Sequence, residues 1–270
     1  MLAASAHDRA LESLLAFWRD AGVDACLEEA PVDRRLQAPQ PKAVVAALRA
    51  AAAAGTGAGD ERIDLSHAVA LAREAAQAAE TLEQLKEAVA AFDGCALKRS
   101  GARQAVFSRG RPDAPLLVIG EAPGADEDAR GEPFVGRAGK LLDRMLEAAG
   151  LLDKALITNT VYWRPPGNAT PSPGDQAICA PFVERTAQLV RPKAVLLVGA
   201  AAARSVLKTT DGILKVRGNW GSWRIDGELE LPVMPTLHPA FLLRQPAAKG
   251  RAWSDILTLA ARLGAGGPGE

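Results

Sequence analysis

The stretch LLVIGEAPGADEDARGEPFVGRAGKLL, residues 116–142, decides the reading of the whole chain. Its first five residues form an unbroken apolar run, the pattern of a strand buried on both faces. The run breaks at Gly120 into a loop rich in Gly and Pro, and Gly120 and Gly124 permit a tight turn with exposed backbone amides. The loop closes on Pro133-Phe134, which places an aromatic ring ahead of a helix expected from about Ala138 to Ala149. Strand, loop and helix in that order form the repeating unit of an α/β sheet.

The same unit recurs downstream. ALITN (155–159), AVLLVG (194–199) and LPVMPTLH (231–238) read as strands, and residues 174–190, 200–208 and 248–263 as the helices between and after them. RGNWGSWRIDGE, residues 217–228, reads as a hairpin. The expected fold is α/β: a three-layer α/β/α domain with a central, mainly parallel four-stranded sheet. In such sheets ligands bind beyond the C-terminal strand ends. Three strands deliver Glu121, Asn159 and His238 to that edge.

Upstream of residue 81 the pattern differs. Leu11, Leu14, Leu15, Phe17 and Trp18 have helical spacing within residues 8–30. Residues 37–60 are rich in Ala, Pro and Gly and read as a linker with a short helix near 42–53. The expected organisation is therefore a helical N-terminal extension, residues 1–80, and one domain, residues 81–270. A helix starts at Thr81, carries Leu82, Leu85, Ala88 and Val89 on its apolar stripe, and stops near Gly94.

Composition narrows the function. The 270 residues are 48% apolar, enough for a sizeable core, and no run reaches the roughly 18 apolar residues of a membrane span. The N-terminus has no cationic segment followed by an apolar one, so no secretory signal is read and a cytoplasmic protein is expected. Cys26, Cys95 and Cys179 are too few and too scattered for a disulfide framework. The 32 basic and 32 acidic residues cancel, but 9 basic and 15 acidic residues lie before position 95, and 23 and 17 after it. A basic C-terminal part suits a polyanion, and ordinary solvated charge accounts for the numbers equally well. No GxxxxGK[ST] or GxGxxG phosphate loop is present, which argues against a nucleotide-binding enzyme.

Three segments carry chemistry. In the first, Glu121 and Phe134 lie in the loop of residues 120–142. In the second, TNTVYWRPPGNATPSP (158–173), Asn159 offers a donor and an acceptor to an amide-bearing ring, and Arg164 suits a phosphate. In the third, PTLHPAFLLRQP (235–246), Pro239 holds His238 extended, and a rigid histidine at a strand end can stabilise developing charge. Arg244 follows on a helical turn. The bland readings are a turn, a turn-capping amide and a structural histidine; His238 is the only one of three histidines at a strand end.

In this order, the three segments resemble the uracil-DNA glycosylase superfamily, most closely its family 4, over roughly residues 92–264. The resemblance implies excision of uracil from DNA by a monomeric enzyme that reads a flipped base in single- or double-stranded DNA. By that resemblance Phe134 stacks on uracil, Asn159 bonds the edge that separates uracil from cytosine, His238 faces the uracil O2, and the backbone at Ala122 closes the pocket. Glu121 positions or activates water, stabilises the sugar cation, or serves as a hydrogen-bonded structural group. Arg164, Lys215, Arg217 and Arg244 are the expected DNA contacts.

Two departures accompany the resemblance. Ala122 stands where family 1 enzymes have a water-activating Asp, as it does in family 4. Family 4 enzymes hold a [4Fe–4S] cluster on four thiolates, and the matching positions here are Phe92, Cys95, Trp163 and Cys179. Phe and Trp cannot ligate iron, so no cofactor is expected, with Cys95 and Cys179 as buried neighbours. A covalent-trapping branch of the superfamily uses a histidine in an inserted loop; LKTTDGILKVRGNWGSW (207–223) contains none, so ordinary turnover is expected. The alternative function is a non-catalytic DNA-binding or polymerase-associated module of the same fold.

Overall fold

The computed structural model describes residues 65–264. The helix expected within residues 8–30, the linker at 37–60 and Cys26 lie outside the described residues. Strands β1 (Ser108–Gly110), β2 (Leu116–Gly120), β3 (Ala155–Asn159), β4 (Ala194–Val198), β5 (Gly221–Ile225) and β6 (Leu229–Thr236) form one sheet in the order β1-β3-β2-β4-β6-β5. The inner four are parallel, and β1 and β5 pair antiparallel at the two edges. The sheet thus has six strands where four were expected. The reason is physical: β1 is only three residues long, half-exposed and without a period, and the hairpin strand β5 continues the sheet through β6.

Alternation along the central strands splits the core into two layers. Leu117, Ile119, Val195 and Leu197 face one cluster, and Leu116, Val118, Leu196 and Val198 face the other. Helices α1 (Leu65–Ala78), α2 (Leu82–Ala91) and α6 (Pro173–Val190) cover the first side. Helices α5 (Arg137–Ala148) and α10 (Lys249–Arg262) cover the second. Burial on both faces is why β2, β3 and β4 read as continuous apolar runs. Short helices α3 (Ala96–Arg99), α4 (Ala125–Arg130), α7 (Ala200–Leu207), α8 (Ile213–Val216) and α9 (Pro239–Arg244) complete the described domain.

Helix α1 lies before the boundary expected at residue 81, yet it packs on α6. Its Ala68, Ala72 and Ala76 recur every four residues and are all buried in the core. Arg185 of α6 donates two hydrogen bonds to the Ala79 carbonyl just beyond the end of α1, at 2.9 and 2.8 Å. Thr81 caps α2, accepting from the Gln84 amide, as the sequence predicts. No helix among the described residues is long and apolar enough to cross a membrane.

Register then positions the site. Gly120 and Asn159 are direct partners at the ends of β2 and β3, and Val198 pairs with Thr236 at the ends of β4 and β6. The connection after β2 runs to one side of it and the connection after β3 crosses to the other, so the loops separate above these strand ends.

Candidate active site

A cleft of about 570 Å³ opens above the strand ends, lined by Glu121, Ala122, Phe134, Pro165, His238 and Arg244 among others. Asn159 lies beneath it and is 1% exposed, and its Oδ1 is buried without a hydrogen-bond partner among the described residues. An orphaned amide oxygen in a protein interior is costly unless something else satisfies it. The Phe134 ring and the Asn159 oxygen both crowd the face of Gly120. A Cβ there would come within 2.5 Å of Asn159 Oδ1 and closer still to the ring, so only glycine leaves both in place.

Phe134 is 6% exposed and adopts a left-handed backbone, φ +56°, a conformation that a bulky residue holds only when its surroundings impose it. Its ring stacks on that of His238 with centroids 5.8 Å apart and planes at 30°. Together these two rings and the Asn159 amide form an aromatic wall with a polar floor.

His238 caps α9, and its Nδ1 accepts a hydrogen bond from the Ala240 amide at 3.1 Å. That bond places the proton of the neutral ring on Nε2, leaving an N–H donor. Burial, reinforced by the nearby Arg244 charge and opposed by Glu127, lowers the His238 pKa to about 4, so the ring is neutral at physiological pH. Gly199, at φ +97°, packs against the imidazole; a Cβ there would sit 3.0 Å from His238 Cβ.

Glu121 lines the cleft, and its carboxylate makes no hydrogen bond or ion pair with any described residue. Its backbone carbonyl instead accepts from Thr160 Oγ1 at 2.6 Å, which keeps the two loops in step beyond the strands. The carboxylate is therefore not held in a structural bond by any described residue.

The four expected DNA-contacting cations separate. Arg244 lines the cleft. Arg164 donates to Asn168 Oδ1 at 2.7 Å and braces the loop whose Pro165, Asn168, Ala169 and Thr170 form one wall. Lys215 pairs with Asp211 at 2.9 Å on an exposed surface outside that lining. Arg217 is turned inward in an ion pair with Asp255, their side chains 18% and 2% exposed. Asp255 also accepts from Thr236 Oγ1 at 2.7 Å. Asp255 thus ties α10 to the strand that ends near His238, and Arg217 neutralises it from the segment after α8.

Glu127 is a further site residue, not among those expected from the sequence. It accepts from the Gly124, Val135 and Gly136 amides, all at 3.0 Å, and so joins the two halves of the 120–136 loop at the cleft edge. Its signal was present: an acidic residue three positions after a helix-starting Gly124 is half of a capping box.

A family profile described as "Uracil DNA glycosylase superfamily" matches residues 107–257. The chain belongs to the uracil-DNA glycosylase superfamily. Curated relatives place it in family 4. A Type-4 uracil-DNA glycosylase of Sulfurisphaera tokodaii is 38% identical over 62% of this chain and 78% of its own length. Those of Thermotoga maritima and Pyrobaculum aerophilum are 37% and 32% identical, over 61% and 65% of this chain and 84% and 91% of theirs.

The iron–sulfur cluster that family 4 implies meets an unsuitable donor set here. Cys95 and Cys179 are both fully buried, and the neighbouring Cys95 thiol together with burial raises the Cys179 thiol pKa. The other two matching positions hold rings. Phe92 packs edge-on to Phe182 at 5.2 Å, and Trp163 lies edge-on to Tyr162 at 6.3 Å, within the same core cluster as the thiols. Two thiols and two hydrocarbon faces do not make a four-thiolate site.

Proposed function

We propose that this chain is a DNA-repair glycosylase that flips uracil out of DNA and hydrolyses its N-glycosidic bond, leaving an abasic site. The observation that carries this reading is the unpartnered Asn159 oxygen beneath the Phe134 ring, with the neutral imidazole stacked beside it. Uracil is a flat ring with an N–H donor and a carbonyl acceptor on one edge. Asn159 can accept from the first and donate to the second, whereas cytosine presents the opposite pattern. Phe134 supplies a face on which the ring stacks.

As the glycosidic bond lengthens, negative charge grows on the uracil and positive charge on the sugar. The Nε2–H of His238 is a preorganised donor for the O2 of the departing base. A neutral imidazole donates without giving up its proton, so the base leaves as the stabilised anion. Glu121, free in the cleft, orients the attacking water or balances the sugar cation. Arg244 meets a backbone phosphate at the cleft mouth. The protein works as a monomer and without an iron–sulfur cluster.

Release of free uracil from a labelled uracil-containing oligonucleotide, single- and double-stranded, tests this directly. Asn159→Ala should abolish most of that release while leaving the thermal transition near that of the parent. Binding without release would make the chain a DNA-binding module. Unimpaired release by Asn159→Ala would remove this residue from base reading.

A further inference from the structure

We propose that Arg109, oriented by Asp143, is a positioning residue that sets the base-stacking ring of Phe134. This rests on the reading that Phe134 carries the base. Arg109 lies on edge strand β1, outside the cleft lining. Its Nε donates to the Pro133 carbonyl at 2.7 Å, and its Nη2 donates to the Phe134 carbonyl at 3.2 Å and to Asp143 Oδ1 at 2.5 Å. One guanidinium therefore grips two consecutive carbonyls of the loop and one carboxylate of α5.

The grip falls where the backbone is strained. Phe134 is left-handed, and a helix approaches its carbonyl so closely that any Cβ at Gly139 would overlap that carbonyl. Glu127 holds the next two amides, of Val135 and Gly136, from the other side. Without an outer anchor the loop could relax toward an ordinary backbone and swing the ring off the cleft. Arg109 supplies that anchor. It is also registered opposite Ile157 on β3, the strand that ends in Asn159. The ring that stacks the base and the amide that reads it are thus referenced to the same pair of strands. A lysine could not do the same, because a single ammonium lacks the planar fork that spans three acceptors.

The test uses the full chain and the variants R109M, R109K and D143N, each made in the parent and in an F134L background. Single-turnover uracil excision and inhibition by free uracil are measured together with affinity for uracil-free DNA. A ring displaced by about 1 Å loses on the order of 10²-fold in rate. R109M should therefore cut rate and uracil inhibition strongly, R109K should recover part of both, and affinity for uracil-free DNA should hold. In F134L the same substitution should change little, since the ring it positions is gone. An equal loss in both backgrounds would assign Arg109 to general stability and overturn the proposal. So would R109M retaining parental rate and uracil inhibition, and in that case the glycosylase reading would still stand. If the parent itself releases no uracil, the functional reading fails instead. Should R109M fail to fold, R109K and D143N carry the same comparison.

Discussion

Acidification below pH 6.5 should withdraw a contribution to stability that His238 makes at neutral pH. Its imidazole is held neutral down to about pH 4, against an ordinary value of 6.5. The direction follows from proton counting. Above pH 6.5 neither the folded nor the unfolded ring binds a proton, and stability is complete. Between 6.5 and about 4 the unfolded ring is protonated and the folded ring is not, so stability falls as pH falls. The full gap corresponds to about 3 kcal/mol, of which about 2 kcal/mol is lost by about pH 5. Urea unfolding of the parent and of His238→Asn, at neutral pH and near pH 5, isolates the effect, because every other group titrates in both. The parent should lose the extra stability and the variant should not. Single-turnover excision should stay level on the acid side until pH approaches 4, because Nδ1 must remain an acceptor for the Ala240 amide. Equal acid sensitivity of the two proteins, or a rate that falls with an apparent pKa near 6.5, would refute a desolvated neutral imidazole.

Gly120→Ala should fold, at a cost of about 1–3 kcal/mol for overpacking, but lose uracil excision, because the added methyl collides with the Phe134 ring and Asn159 Oδ1; parental activity would show that neither group needs its present place. Arg217→Ala should destabilise by about 3–5 kcal/mol in thermal or urea unfolding, because it leaves the Asp255 carboxylate buried and unpaired. Arg244→Ala should instead leave stability nearly unchanged and lower the salt slope of DNA binding by about one, the signature of a lost phosphate contact. Trp163→Ala should cost about 3–5 kcal/mol, whereas Cys95→Ser and Cys179→Ser should stay active, and iron analysis of the purified protein should find no stoichiometric metal.

The parts of the fold legible in the sequence are those whose pattern is local. LLVIG, ALITN and AVLLV are buried on both faces and betray themselves as apolar runs. The Thr81 cap is local chemistry as well, and the helix expected at 174–190 begins one residue earlier, at Pro173. The last strand, expected at 231–238, spans 229–236, because Leu237 is buried after the ladder has ended and continues the apolar run. Helix α4, ADEDAR, reads as loop in the sequence because it is six residues long, four of them charged, and its one buried residue is Asp128, whose carboxylate accepts from the Arg103 amide. Arg109, Gly139 and Gly199 escaped for a different reason. Arg109 and Gly199 act on residues tens of positions away, and Gly139 acts on Phe134 only five positions back but across a loop; each meeting is fixed by strand register and helix placement. The charge and loop position of Arg217 suggest a DNA contact, and only the fold reveals that Asp255 lies against it.

The segments bearing Phe92, Cys95, Trp163 and Cys179 explain how the second wall of the cleft is held. The wall begins at Pro165, two residues beyond Trp163. Tyr162 and Trp163 are both sealed in the core, Tyr162 stacks on Phe107 at 5.7 Å, and its carbonyl accepts from the Val106 amide at 2.7 Å. Phe92 and Cys95 approach from the segment before the sheet, and Phe182 and Cys179 from α6. A four-thiolate cluster would cross-link the same three segments by bonds to iron. Here burial does it: an aromatic side chain removes about 150–250 Å² from water, worth several kcal/mol at about 25 cal/mol per Å². Such a tie is strong but not directional, and it depends on complementary shape. Truncating Trp163 would therefore both weaken the fold and loosen the start of the cleft wall, whereas exchanging a thiol for a hydroxyl leaves the rings that carry the tie in contact.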